Sequence, residues 1–413
     1  MKSSYRRLGD YIHKVENRNR DLKVNKLVGL SMTKEFRIST SNVVGTDMSV
    51  YKIVNKLQFS CDFMSVIRVH KFPVVLKNDD EPVLVSPAYT VFEVNDAKKL
   101  HPEYLMMWFR RSEFDRFADF KCDSAIRGGF DWDALNDCYL PIPSIEKQIA
   151  IVREYNTIQN RISLNNQLIT KLEETAQAIY KQWFVDFEFP DVNSLPYKSN
   201  GGKMVWCEEL EKEIPKGWEL RKLKNICSKI GSGSTPSGGK ESYFQSGISL
   251  IRSMNVFHFN FSFENLAFID EQQANKLKNV EVLEKDILFN ITGVSVARCC
   301  IVPSIILPAR VNQHVMIIRP LSDLNLYYYL LCTLCSTDSK NILLGLSQSG
   351  STREAITKAE IEDFDVLLPS PQIMLKFEIL MGKIFSRKNL KNNENEKLEE
   401  LKELLFAKMT RVN

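Results

Sequence analysis

The stretch KLEETAQAIYKQWF, which begins at Lys171, and the stretch KLEELKELLFAKMT, which begins at Lys397, share one pattern of charged and apolar residues. Both open with Lys-Leu-Glu-Glu, and they lie 226 positions apart. At the same offset, without a gap, Pro143-Ser144 falls on Pro369-Ser370. A match at one constant offset indicates an internal repeat, and a repeat decides the architecture. The chain therefore contains two similar units, each ending in a similar helix.

The first of these helices, predicted over 146–182, has the heptad spacing of a coiled coil. Its recurring apolar or small residues are Ile151, Tyr155, Ile158, Ile162, Ile169, Leu172, Ala176, Ile179 and Trp183. Asn165 takes one core position, where a polar residue commonly sets the register. In the second helix KNNENE at 391–396 breaks the apolar stripe, so this helix is expected to need the first as its partner. The alternative is two separate amphipathic helices, each packed on its own unit.

A chain of 413 residues is expected to form two or three domains. Short β-like runs alternate with helical stretches, which predicts mixed α/β (α+β) units. We place these units at 1–143 and 216–369 and the repeated helices at 144–190 and 370–413. The segment 191–215 is rich in Pro, Gly, Asn and Ser and is predicted to be a connector.

Composition excludes several classes of protein. No run of 18 apolar residues is present, so a membrane span is not expected. The N-terminal MKSSYRRLGDYI lacks the apolar core of a secretion signal, which favours the cytoplasm. Nine cysteines at irregular spacings indicate free thiols, and the C-x-x-C of Cys332 and Cys335 lies in an apolar run that predicts burial. Residues 1–77 carry fifteen Lys and Arg against six Asp and Glu, which is compatible with a surface that faces phosphates.

Motifs for catalysis are missing. GSGSTPSGGK at 231–240 departs from a phosphate-binding loop, because Gly239 precedes Lys240 and Glu241 stands where Ser or Thr must bind magnesium. No dinucleotide or methyl-donor glycine motif follows a strand, and the five histidines have no metal-ligand spacing. The sequence thus favours a recognition or assembly component over an enzyme.

Several stretches together resemble one family, the specificity (S) subunits of type I restriction-modification systems. They are IYKQWFVDFEFP (179–190), EIPKGWELRKL (213–223), GSTPS (233–237), DILFNITGVSVARCCIV (286–302), NQHVMIIRP (312–320), and the unit endings LPIPS (140–144) and LLPSP (367–371). The resemblance covers nearly the whole chain. It is weakest in the first unit, which lacks the T-P-S loop and the N-Q-H segment.

The resemblance implies a non-catalytic subunit with two target recognition domains, each reading half of a split double-stranded DNA sequence. The two repeated helices would pair as an antiparallel coiled coil that spaces the halves and docks two modification (methyltransferase) subunits. Restriction endonuclease/translocase subunits would join the same complex. S-adenosylmethionine, ATP and Mg²⁺ are expected on the partner subunits, and no cofactor or metal is expected on this chain.

Candidate DNA contacts follow from the chemistry of readout, in which Arg, Lys, Asn and Gln contact bases and other polar groups contact phosphates. The candidates in the second unit are Ser232, Ser234, Thr235, Arg252, Asn255, Arg298, Asn312 and Gln313. Those in the first unit are Lys34, Arg37, Thr40, Arg68 and Lys71. Arg127 and Arg353 are equivalent in the repeat, which suits a phosphate contact or a shared structural role. For each candidate, a loop hydrogen bond or a solvated charge is the alternative.

The aromatic residues Trp183, Phe184 and Phe187 are candidates for a patch that binds a partner, because such residues are enriched at interface hot spots. Packing of the helix end against the second unit is the alternative. Two other functions stay open for the whole chain. One is an orphan or decoy DNA-binding subunit without a partner endonuclease, and the other is a coiled-coil scaffold.

Overall fold

The computed structural model describes residues 5–40, 45–123, 129–234, 243–348 and 355–410. Its internal contacts divide the chain into two compact units. The first unit comprises Met1–Asn165 together with Asn393–Asn413, and the second comprises Asn166–Asn392. Each unit combines strands and helices, so the predicted mixed α/β class is confirmed.

The first unit is built on short antiparallel strands. They are β1 (Tyr5–Arg7), β2 (Ile12–Lys14), β3 (Val28–Leu30), β4 (Phe36–Ile38), β5 (Lys52–Val54), β6 (Phe59–Cys61), β7 (Val74–Leu76), β8 (Val83–Val85), β9 (Thr90–Val94) and β10 (Tyr139–Pro141). A four-stranded sheet has the order β2-β9-β6-β7, and the pairs β3-β4, β5-β8 and β1-β10 complete the unit. A parallel bridge from Leu27 to Leu84 joins the segments of β3 and β8.

Four helices cover this sheet: α1 (Val66–Val69), α2 (Pro102–Arg110), α3 (Ser112–Asp123) and α4 (Trp132–Asn136). The core is strongly aromatic. Phe59 and Phe92 stack on neighbouring strands with ring centroids 4.8 Å apart, and Phe109 of α2 meets Phe59 edge-on at 6.0 Å. Burial of several large rings offsets the small size of the individual strands.

Helix α5 (Ile145–Tyr180) follows β10 and continues as a π-helical turn over Lys181–Val185. It begins and ends within two residues of the prediction. All nine residues of the predicted heptad stripe, together with Asn165, are buried or half-buried.

The strands of the second unit are β11 (Met204–Cys207), β12 (Lys212–Pro215), β13 (Glu219–Lys222), β14 (Cys227–Ser232), β15 (Ile248–Ile251), β16 (Ala267–Ile269), β17 (Glu281–Val282), β18 (Ile287–Asn290), β19 (Cys299–Ile301), β20 (Ala309–Val311), β21 (Val315–Pro320) and β22 (Asp365–Leu368). They form two four-stranded sheets, β14-β21-β18-β19 and β16-β15-β20-β17, and the pairs β11-β12 and β13-β22. The β11-β12 hairpin lies in the predicted connector, which is therefore partly regular structure.

The helices of this unit are α6 (Glu271–Lys276), α7 (Tyr327–Cys335), α8 (Thr337–Gln348), α9 (Lys358–Glu362) and the long α10 (Pro371–Thr410). Cys332 and Cys335 lie on α7 and are buried, as their apolar surroundings predict. Among the described residues, no helix is long and apolar enough to cross a membrane.

Within each unit, α5 and α10 pack against one another in antiparallel directions. In the first unit Tyr155 meets Phe406 at 5.7 Å between ring centroids, and Arg161 forms an ion pair with Glu394 at 2.5 Å. In the second unit Glu173 forms an ion pair with Lys388 at 2.8 Å. The predicted pairing is confirmed in both units, so the alternative of unpaired helices is wrong.

The KNNENE segment does not interrupt α10. Asn165 is 1% exposed, and its Nδ2 donates a hydrogen bond to Oδ1 of Asn395 at 2.9 Å. The polar break in the second stripe thus matches the polar core position of the first, which is the arrangement that sets register in coiled coils.

The two units have the same topology. The order β2-β9-β6-β7 in the first corresponds to β14-β21-β18-β19 in the second, and α2, α3, α4 and β10 correspond to α7, α8, α9 and β22. At the repeat offset, Asp131 falls on Thr357, and both side chains cap the helix that follows. The duplication therefore extends through the front halves, whose sequences match only loosely.

Candidate nucleic-acid interface

The sheet β14-β21-β18-β19 collects several chain turns at one of its ends. Ser232, the last residue of β14, pairs with Met316 near the start of β21, and Asn290, the last residue of β18, pairs with Val315. Because the neighbouring strands are antiparallel, the segments that follow β14 and β18 leave the sheet where β19 and β21 enter it. Three segments thus lie together at this end.

Backbone hydrogen bonds tie these segments to one another. The N–H of Gly233 donates to the carbonyl of Asn312 at 3.1 Å, and the N–H of Ile291 donates to that of His314 at 3.1 Å. The N–H of Asn312 donates to Ile251 at 3.0 Å, which brings the end of β15 into the same group. We call the four segments 232–234, 252–255, 291–298 and 312–314 the loop end of the second unit.

Gly233 is required for this close approach. A Cβ atom at this position would lie 1.7 Å from the carbonyl oxygen of Val311, which is backbone and cannot rotate away. Nothing lies within 4 Å of the corresponding point at Gly231, two residues earlier. Of the two described glycines in this segment, Gly233 therefore has no room for a side chain. Ser232 and Ser234, on either side of Gly233, are exposed.

The described candidates of the second unit all lie at the loop end, but they differ in availability. Ser232, Ser234 and Gln313 are exposed, and Arg298 is half-exposed. Arg252 donates from its guanidinium to the carbonyl of Asn265 and lies 5.4 Å from the ring of Tyr243. It is therefore held mainly by the protein.

The two asparagine candidates are buried and correct the prediction of direct contact. Asn255 is 0% exposed, and its side chain donates to the carbonyls of Ser262 at 3.0 Å and Glu264 at 3.2 Å. Asn312 is 7% exposed, and its Oδ1 accepts from the N–H of His314 at 3.0 Å. Buried amides that bond to backbone shape the loops, so base readout by these two is not supported.

Thr235, Arg127 and Arg353 lie outside the described residues. Their predicted roles stay predictions.

In the first unit Lys34 is also corrected. It is 4% exposed, its ammonium forms an ion pair with Asp115 at 2.7 Å, and it donates to the carbonyl of Phe109. Burial lowers the pKa of Lys34, and the charge of Asp115 acts in the opposite direction. A buried and paired ammonium is not available to a phosphate.

The other four candidates of the first unit, Arg37, Thr40, Arg68 and Lys71, are exposed. Arg68 and Lys71 lie in the connection between β6 and β7, the counterpart of the β18–β19 connection that carries Arg298. Burial is the main cause of the raised pKa of Tyr89, and the charges of Arg37 and Arg68 counteract it. Both guanidinium groups therefore lie within electrostatic range of the Tyr89 hydroxyl.

Trp183, Phe184 and Phe187 lie in the core of the second unit and are 9%, 5% and 3% exposed. Phe184 packs edge-on against Phe377 at 4.7 Å, and Phe187 packs against Trp218 at 5.5 Å. The structure favours the packing alternative, because so little of each ring is left for a partner.

Three features at or next to the loop end lie outside the predicted set. The Nδ1 atom of His314 and the hydroxyl of Thr292 share a hydrogen bond of 2.7 Å. Phe257 is 40% exposed and Val294 is 97% exposed. An exposed valine or phenylalanine has no signature of its own in sequence, although the N-Q-H segment pointed to His314.

Among the described residues, no group of three or more His, Cys, Asp or Glu side chains could hold a metal ion. Cys299 and Cys335 are close, with Sγ atoms 3.2 Å apart, and both are buried. The candidates at the loop end are hydroxyl, amide and guanidinium groups.

Comparisons with known proteins place these features in a family. The family model for the type I restriction modification DNA specificity domain matches residues 215–403. The chain is 31% identical over 284 residues to the type I restriction enzyme MjaIX specificity subunit of Methanocaldococcus jannaschii, covering 67% of this chain and 60% of that protein. It is 22% identical over 382 residues to the HindI specificity subunit of Haemophilus influenzae, covering 80% of this chain and 81% of that protein.

The fold is similar to the crystal structure of the S subunit of a type I restriction-modification system from M. genitalium, with a TM-score of 0.56 and 13% identity over 98% of this chain and 95% of that one. The duplicated mixed units and the paired helices define a modular recognition protein. The chain belongs to the family of type I restriction-modification specificity subunits.

Proposed function

We propose that this chain is the DNA-reading subunit of a type I restriction-modification complex. Each unit reads one half of a split double-stranded target, and the chain itself performs no catalysis. Family membership supports the class, and the absence of catalytic motifs from the sequence agrees with it. The working site is the cytoplasm, where DNA and the partner subunits are present.

The observation that carries the proposal is the loop end of the second unit. Candidates that are scattered over 82 positions of sequence, from Ser232 to Gln313, meet where one end of the sheet β14-β21-β18-β19 adjoins the end of β15. Hydroxyl groups and backbone amides there suit phosphates, and the guanidinium and amide side chains suit base edges. Phosphate contacts set the position of the protein, while base contacts supply the specificity.

The first unit is proposed to use the corresponding end of its own sheet. Arg68 and Lys71 lie between β6 and β7, and Tyr89 immediately precedes β9. Their counterparts in the second unit are the segments with Arg298 and His314. Because the two sets of side chains differ, the two half-sites are expected to have different sequences.

Two modification subunits are proposed to dock on the helices. In the second unit Leu375 and Ile379, one turn apart on α10, are 53% and 54% exposed, and in the first unit Leu401 and Leu404 are 50% and 60% exposed. Exposed leucines at helical spacing suit helix-to-helix contact. Restriction subunits complete the complex, and S-adenosylmethionine, ATP and Mg²⁺ belong to these partners.

The experiment is to co-express the chain with its modification subunit in a host without DNA methylation and to map methylated bases across the genome. A bipartite motif with a constant gap is expected. Replacing residues 1–143 with the equivalent region of a relative should change one half of the motif only. A continuous motif, or methyl transfer by the purified single chain, would contradict the proposal, and a complex that forms but never methylates would indicate the decoy function.

A further inference from the structure

We propose that Arg298 reads a guanine in the major groove of the second half-site, with Phe257 as the platform that orients it. The inference rests on the proposed function and specifies which base pair one cleft of the second unit recognises. Three observations support it: a guanidinium that pairs with no described residue, an exposed aromatic ring beneath it, and a carboxylate in the same cleft.

Arg298 borders an open cleft of about 410 Å³ on the second unit. The cleft brings together parts of the loop end and the segment that follows it. The residues that line it include Met254, Phe257, Glu264, Val294 and Arg298. A cleft that mixes apolar surface with a few polar groups suits the edge of a base better than a bare phosphate.

The backbone around Arg298 is fixed. Its N–H donates to the carbonyl of Ser295 at 3.2 Å, and its carbonyl accepts from the N–H of Asn290 at 2.9 Å. The neighbours Ala297 and Cys299 are both 0% exposed. The side chain therefore leaves a rigid point at the start of β19, which is what precise readout requires.

Among the described residues, the guanidinium group has an aromatic partner and no polar one. Its central carbon lies 5.1 Å from the centre of the Phe257 ring. Within the described ranges, no hydrogen bond or ion pair occupies its N–H groups. Stacking on a ring orients the planar group while leaving its donors free, so the fork is already arranged for a pair of acceptors.

Three other arginines of the unit are held by protein groups. Arg319 makes two hydrogen bonds of 2.7 Å to the Asp286 carboxylate, and Arg310 donates to the carbonyl of Ala274 at 3.1 Å. Arg252 at the same loop end is held by Asn265. These groups stabilise the unit, whereas no described residue accepts a hydrogen bond from the guanidinium of Arg298.

The charge of the cleft distinguishes a base pair from a phosphate. Glu264 lines the same cleft, is exposed and forms no ion pair with a described residue. A carboxylate in the same cleft repels a phosphate, but it accepts readily from the amino group of cytosine. Guanine offers O6 and N7 as two acceptors for an arginine fork, so a G·C base pair fits both groups.

The corresponding connection of the first unit supports a surface that faces DNA. Between β6 and β7 it presents Met64 at 78% and Ile67 at 50% exposure beside Arg68. Between β18 and β19 the second unit presents Val294 at 97% exposure four residues before Arg298. The sequences of the two connections differ, yet both combine an exposed aliphatic tip with an arginine. An aliphatic tip of this kind can contact a thymine methyl group or a sugar.

The test uses the complete complex with its modification subunits in a methylation-free host, with methylated bases mapped for each variant. For Arg298→Ala, one G·C position in the half-site of the second unit should become degenerate, and methylation of the original sites should fall by about 10- to 100-fold. Arg298→Gln keeps a planar polar group and should shift that position from guanine towards adenine. The other half-site and the gap should stay unchanged in both variants.

Arg221→Ala is the matched control, because it removes an exposed arginine of the same unit that pairs with Glu219 outside the loop end. It should retain the wild-type motif and rate. Co-purification with the modification subunits checks that each variant folds. A weaker but unaltered motif in both Arg298 variants would overturn the inference, as would a half-site without any G·C pair, and both results leave the proposed function intact. Failure of the wild-type complex to methylate any motif would instead contradict the proposed function.

Discussion

Glu378 allows a quantitative test of packing in the second unit, because its carboxyl group is buried where α10 meets the first turn of α7. It is 6% exposed, and Oε1 accepts a hydrogen bond from the N–H of Tyr329 at 2.7 Å. Burial raises the pKa of Glu378 to about 7, while the N–H groups of Tyr329 and Tyr328 and the charge of Lys285 act in the opposite direction. The folded unit thus binds this proton more tightly than the unfolded chain does.

The sign of the effect follows from that order of pKa values. The contribution to stability is fully present below the ordinary value of 4.5 and is lost as the pH rises through about 7. This rise in the pKa of Glu378 corresponds to a loss of roughly 3 kcal/mol of unfolding free energy between low and high pH, at about 1.4 kcal/mol per pKa unit. Glu378→Gln retains an oxygen that accepts from Tyr329 but cannot titrate. Between about pH 5.5 and about pH 8, the wild type should therefore lose about 2 kcal/mol relative to the variant.

Urea unfolding at the two pH values measures this difference. Fluorescence of Trp183, Trp206 and Trp218 reports on the second unit when the tryptophans of the first unit are replaced by phenylalanine in every protein compared. Glu403→Gln, which removes an exposed carboxylate from the same helix, is the matched control for the substitution itself. Equal pH dependence of the wild type and the Glu378→Gln variant would refute the reasoning.

Three other substitutions test the helix pairing, the loop end and the aromatic core. Asn165→Leu should cost about 1–3 kcal/mol, because it removes a buried hydrogen bond to Asn395, and replacing both asparagines with leucine should recover most of that loss in urea unfolding. Gly233→Ala should cost about 1–3 kcal/mol and weaken DNA binding by the complex, whereas Gly231→Ala should match the wild type in fluorescence anisotropy with labelled DNA. Phe184→Ala should cost about 3–5 kcal/mol of unfolding free energy, while Phe184→Leu should still co-purify with modification subunits. A stable Phe184→Leu variant that loses those subunits would instead show that the ring contacts a partner.

Local periodicity made the helices predictable. The heptad stripe of α5 depends only on residues a few positions apart, and such spacing places side chains on one face whatever else the chain does. The predicted and observed bounds of α5 differ by two residues at most, leaving aside the π-helical turn. The constant offset of the repeat also predicted that the helices form a pair, and the polar position of Asn165 indicated where register is set.

The front halves of the units could not be matched from sequence because their common features are pairings between distant strands. The strands are only two to six residues long, and short strands carry a weak pattern of their own. Their shared order appears only when hydrogen bonds across the sheets are known. The same limit explains the β11-β12 hairpin, whose residues lie in a segment that composition alone predicts to be a connector.

The sequence by itself determined the duplication and the paired helices, because both depend on spacing along the chain. Only the tertiary structure decided which candidates are available. Lys34 and Arg298 look alike as basic residues beside β-like runs, yet Lys34 is buried against Asp115, 81 positions away, whereas Arg298 lies above Phe257 and pairs with no described residue. Availability depends on burial and on partners remote in sequence, and both come into being only when the chain folds.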